Sequence, residues 1–141
     1  MGNINWGRAI LGGVVAAIIL FIVDWVLNGY ILAAQWSAAM TALGKPEMTP
    51  TGGLLVLVII IDLLIGLTAL WIYTGIRPRY GASVQTAIYA GLATWVLAAV
   101  VGSLNLAVAG LLPAGLLWTT AIVSLFAIPI ATLAGAYLYK E

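Results

Sequence analysis

The chain has no cysteine and no histidine among its 141 residues. That removes disulfides, thiolate or imidazole metal sites, iron–sulfur ligation and histidine-held haem, so no cofactor is expected. Charge is nearly as scarce. Five Lys and Arg stand against four Asp and Glu, a net charge of +1 with no basic tract, which leaves no footprint for nucleic acid. What remains is apolar: 65% of residues are hydrophobic and 6% charged. A soluble globule of that composition would have a surface almost bare of charge, so the chain reads as an integral membrane protein.

The apolar runs divide into four spans, at residues 9–32, 53–76, 82–109 and 116–139, forming one transmembrane domain. The fold class expected is an all-α bundle of four transmembrane helices. A secretory signal would also begin with a basic residue and an apolar run, but the first run is longer than a usual signal core and contains Asp24, so it is expected to stay attached. The β-branched core 54–61 of the second span could pass for a strand in water, and its length decides for a helix. Residues 33–52 form the longest connection. Within it Trp36, Met40 and Leu43 recur at i, i+4 and i+7 ahead of Gly44 and Pro46, which predicts a short interfacial helix in the first outer loop. Pro78 predicts that the second helix ends before a tight turn over Arg77–Gly81.

With four spans, Arg8, Arg77, Arg79 and Lys140 share one face and oppose Lys45 alone. The positive-inside rule then puts both termini in the cytoplasm, and the expected location is a bacterial inner membrane. Trp6, Trp71, Tyr73, Tyr80, Tyr137 and Tyr139 would mark the inner interface, and Tyr30, Trp36 and Trp118 the outer.

Helices in lipid gain little from burying leucine on leucine, so small residues must let backbones approach. The third span carries a stripe at every fourth position: Ala82, Thr86, Ala90, Thr94, Ala98 and Gly102. Shorter stripes are Ala127, Ala131 and Gly135 on the fourth span, and Gly13 and Ala17 on the first. These faces suit either the bundle interior or a homo-oligomer. Pro129, near mid-membrane, is expected to kink the last helix.

The acids within the spans are Asp24 and Asp62. Counting about 1.5 Å per residue, Asp24 lies roughly 24 Å beyond Arg8 and Asp62 roughly 22 Å beyond Arg77, so both fall in the outer half at one depth. The same count brings Thr94, Trp95 and Ser124 to that level, and Asn28 follows Asp24 by one turn. Asn105 and Ser103 lie near the outer end of the same region. An aspartate at a helix centre costs about 2.5–3.5 kcal/mol, and no Lys or Arg lies in any span to pair with it. Two readings follow. The layer of Asp24, Asn28, Asp62, Thr94, Trp95 and Ser124 is a hydrogen-bonded clasp between helices, or a site for a proton, a cation or a small solute.

Asn5-Trp6 before an apolar Gly-Gly helix, Asp24-Trp25-Val26-Leu27-Asn28-Gly29, Gln35-Trp36 through Met40-Thr41-Ala42-Leu43-Gly44, and Tyr73-Thr74-Gly75-Ile76-Arg77-Pro78-Arg79-Tyr80-Gly81 together resemble a family of small uncharacterised bacterial four-helix membrane proteins. The resemblance covers nearly the whole chain. A more distant similarity is to a larger domain-of-unknown-function family with a Trp-containing first hairpin. Both imply the four-helix topology, and neither implies an activity or catalytic residues. Size and span number are also similar to small multidrug exporters, although two outer acids and a one-sided charge bias depart from that pattern.

With no nucleophile constellation, metal set or soluble domain, the sequence reading favours a noncatalytic role: a structural or accessory subunit that packs against itself or a larger membrane complex, its partners lipids and protein. The alternative is a small transporter or channel for protons, cations or a small solute through the Asp24 and Asp62 layer.

Overall fold

The computed structural model describes residues 3–45 and 50–140, so Pro46 lies outside the described residues. Helix α1 (Trp6–Val26) begins at Asn5, whose side chain accepts a hydrogen bond from the Arg8 amide at 3.2 Å. It runs into a π-helical turn, Leu27–Ile31, and the chain then reverses at Leu32 into the short α2 (Ala33–Ala42). Helix α3 spans Gly53–Tyr80. Helix α4 (Val84–Trp95), a second π turn (Val96–Val100) and α5 (Val101–Ala109) form one rod, and α6 (Ala114–Leu138) completes the fold. The described residues contain no strand. Trp6–Ile31, Gly53–Tyr80, Val84–Ala109 and Ala114–Leu138 are long and apolar enough to cross a membrane, the architecture of a multi-pass helical membrane protein.

Around the bundle, α1 packs on α3 and α6, and α4 packs on the same two from the other side. The contacts are backbone against backbone. A Cβ added to Gly12 would sit 2.5 Å from the Gly135 carbonyl oxygen, and one on Gly13 would sit 2.9 Å from Leu67 Cα. One on Gly66 would run into the Gly13 carbonyl and Ala17. Across the bundle, a Cβ on Gly91 would lie 2.5 Å from Pro129 Cα. Pro129 is therefore a packing surface for α4, inside a helix that continues through it to Leu138.

The third-span stripe divides. Thr86, Ala90 and Thr94 are buried, joined by Ala87 and Gly91, whereas Ala82 is exposed, Ala98 is half-buried and Gly102 faces open space. A repeat of four overshoots an α-helical turn by about 40° at each step, so it cannot stay on one face of a straight helix. The π turn after Trp95 then resets the register.

Two other expectations change. Helix α3 passes through Pro78 and stops at Tyr80, because Pro78 removes one donor in the last turn while Gly81, at φ +85°, supplies the reversal. Ser83 then caps α4 by accepting from the Thr86 amide at 3.1 Å. At the shared end of the chain, the Asn5 amide donates to the Tyr139 hydroxyl at 3.2 Å, the Arg77 guanidinium lies 5.0 Å over the Tyr139 ring, and Tyr73 meets that ring edge-on at 6.1 Å. Tyr73 and Tyr139 are thus buried in an end-plug, while Trp6, Trp71, Tyr80 and Tyr137 are exposed as a belt requires.

Overpacking a well-packed interior costs about 1–3 kcal/mol, so Gly66→Ala and Gly91→Ala are expected to lower the melting temperature in mild detergent. Gly102→Ala should leave it unchanged or raise it slightly, since Ala favours helix and has room there. Equal melting of all three would show that the glycine contacts do not hold the bundle.

Candidate functional site

Asp24 and Asp62 are brought together by the glycine crossing. Gly66 lies against Gly13 and Ala17, and Asp62 is one turn outward of Gly66 on the same face of α3. Asp24 is seven residues beyond Ala17 on the α3-facing side of α1. Side chains lean toward the N-terminus of their own helix. In these antiparallel helices Asp24 therefore leans toward the end that holds Asn5, while Asp62 leans away from it, and the two carboxyls come within interaction range of each other.

Their surroundings are unequal. Asp62 is 2% exposed, and its Oδ2 is buried with no hydrogen-bond partner, whereas Asp24 is half-buried. An orphaned buried carboxylate oxygen normally costs more than the hydrogen bond it lacks. Of the residues expected at this level, Thr94, Trp95 and Ser124 spend their donors elsewhere. Thr94 donates to the Ala90 carbonyl at 2.9 Å, Ser124 to the Ala121 carbonyl at 2.9 Å, and Trp95 Nε1 to that same Ala121 carbonyl at 2.9 Å. Asn105 bonds back to the Val101 carbonyl at 3.0 Å and is exposed. Hydroxyls in apolar helices return to their own backbone in this way because no water competes.

Asn28 departs furthest from expectation. It sits in the π turn, and its Oδ1 accepts from Trp36 Nε1 at 2.9 Å, which folds α2 back over the C-terminal end of α1. The face of α2 turned to the bundle is consequently Trp36 and Ala39, packed near Leu27, Leu32, Leu112, Leu116 and Val123. Met40 is half-buried and Leu43 exposed, so the stripe Trp36, Met40, Leu43 is not the docking face.

Residues that periodicity did not single out also border the site. Phe21, three residues before Asp24, stacks near Trp25 with centroids 5.9 Å apart. With Ile22 and Leu55 they line an apolar groove of about 240 Å³ between α1 and α3. Both π turns flank the acid layer: one starts three residues after Asp24, the other directly after Trp95. Such turns interrupt the α-helical ladder and often mark functional segments. Among the described residues no group of three or more His, Cys, Asp or Glu could hold a metal ion. Known proteins add nothing here: no family model, curated protein or solved structure matches the chain.

Because Thr94 and Ser124 are satisfied within their own helices, Thr94→Val and Ser124→Ala are expected to change stability by less than about 1 kcal/mol. Asn28→Leu should instead release α2. The readout is proteolytic cleavage between α2 and α3 in detergent, faster in Asn28→Leu and unchanged in the other two.

Proposed function

We propose that this protein is a small transporter that binds a proton or small cation at the Asp24–Asp62 pair and moves it across a membrane. One observation carries the proposal: a carboxyl pair sits inside apolar helices, with Asp62 Oδ2 buried and without a protein donor and with no Lys or Arg in residues 9–32 or 53–76 to pair with it. The clasp reading needed Asn28, Thr94, Trp95 or Ser124 as partners; Thr94, Trp95 and Ser124 donate elsewhere, and Asn28 is drawn by its Oδ1 to Trp36. A subunit that used its small-residue faces for assembly is also less well supported, because Gly12, Gly13, Gly66, Gly91 and Gly135 all face other helices of the same chain.

A noncatalytic accessory subunit is the second reading, favoured by α5, which has no buried residue and so offers a free side to a second copy or a larger complex. In either case the proposed setting is a bacterial inner membrane with both termini cytoplasmic, supported by Arg8, Arg77 and Lys140 lying at the end where Asn5 meets Tyr139.

Orientation is testable because the chain has no cysteine of its own. Leu111→Cys should react with an impermeant maleimide in intact cells, and Asn3→Cys only after lysis. Transport is tested in liposomes under a pH gradient or a cation gradient. Flux above empty liposomes is expected for the wild type and background flux for Asp24→Asn with Asp62→Asn at unchanged melting temperature. Background flux in the wild type under both gradients would remove the transport reading and favour the accessory one.

A further inference from the structure

We infer that the occupant of the carboxyl pair is a proton held between Asp24 and Asp62, not a metal cation; this deepens the proposed function and rests on it. For divalent ions the donor set argues against binding, and for monovalent ions the salt series below is the test. Calcium takes about six to eight oxygen ligands and magnesium a near-ideal octahedron. Here the pair offers four carboxylate oxygens, fewer than either ion takes, and Asn28 Oδ1, one turn from Asp24, already accepts from Trp36. The adjoining groove, lined by Phe21, Ile22, Trp25 and Leu55, has no polar side chain to complete a coordination shell.

A proton needs none of this. Two carboxyls side by side in an apolar setting cannot both ionise easily, and one proton turns repulsion into a charge-assisted hydrogen bond, O–H of one to O⁻ of the other. Among the described residues, the other charged side chains of the helices are Arg8, Arg77 and Arg79, at the far end of α1 and α3. α1 contributes Asp24 and α3 contributes Asp62, while α2, α4, α5 and α6 contain no charged residue. The nearest base along α3 is Arg77, about 22 Å away at 1.5 Å per residue. The layer therefore holds one proton and one negative charge. Within the pair the proton can pass from Asp24, half-buried, to Asp62, at 2% exposure. The transfer breaks the O–H bond on Asp24 and forms one on Asp62, with no other reactant.

The test is infrared difference spectroscopy of the full chain in lipid, following the C=O stretch of a protonated carboxyl across neutral pH in choline, sodium, potassium and calcium salts. Wild type should show one such band per chain in every salt, and the double variant Asp24→Asn with Asp62→Asn should show none. A band that vanishes at fixed pH when sodium, potassium or calcium replaces choline would overturn the inference, as would two ionised carboxylates at neutral pH. The liposome measurement separates the two claims. A salt-insensitive band without proton flux keeps the shared proton and removes transport; sodium or potassium flux without the band does the reverse.

Discussion

The rest of the structure depends on carbonyl-to-glycine contact between α1 and its two neighbours. In lipid there is no hydrophobic push to bring leucine faces together, so association relies on close backbone approach and dispersion. Gly12 against Gly135 and Gly13 with Ala17 against Gly66 give α1 that approach on both sides. Leu70 fills the space where α1, α3 and α6 meet. Once α1 and α3 are pinned at Gly66, the turn immediately outward must present Asp62 toward α1. The acid pair follows from where the helices cross.

That position would be unremarkable in water, where each carboxylate would be solvated. Between apolar helices the cost is set by what else can donate, and the structure has already assigned those donors. Thr94, Thr120, Ser124 and Thr132 each return a hydroxyl to a carbonyl three or four residues back. Such bonds make a threonine compatible with an apolar interior, and they also remove it as a partner for an acid. The interior thus contains many polar atoms and almost no free polarity except at Asp62.

Much of this was legible in the sequence. Four apolar runs, the basic residues on one side, and Asp24 and Asp62 as the odd residues within them all follow from composition and the 1.5 Å rise. The spans differ from the helices by a few residues at most of their ends, chiefly at Pro78, whose last-turn position let α3 continue to Tyr80. What was not legible came from departures from ideal helix geometry. A repeat of four on the third span suggested one continuous face, and neither π turn had a signature in the residues Leu27–Ile31 or Val96–Val100. The Trp36 to Asn28 bond spans eight residues and a chain reversal at Leu32, so no periodic count could pair them. Gly91 was hidden because its partner, Pro129, reads as a helix breaker when it is in fact the floor of a close contact.

The two halves of the bundle are built differently, and the acids lie at the seam. Inward of Gly66 the helices touch through glycine and end in the plug of Asn5, Tyr73, Arg77 and Tyr139. Outward of Asp24 the helical ladder twice relaxes into π turns, α5 buries no side chain, and the outer residues of α3 from Leu54 to Ile61 are largely exposed. At the seam, Asp62 is held by the packed half while Asp24 reaches into the looser one. The glycine crossing at Ala17 and the π turn that begins at Leu27 set that boundary within about three helical turns.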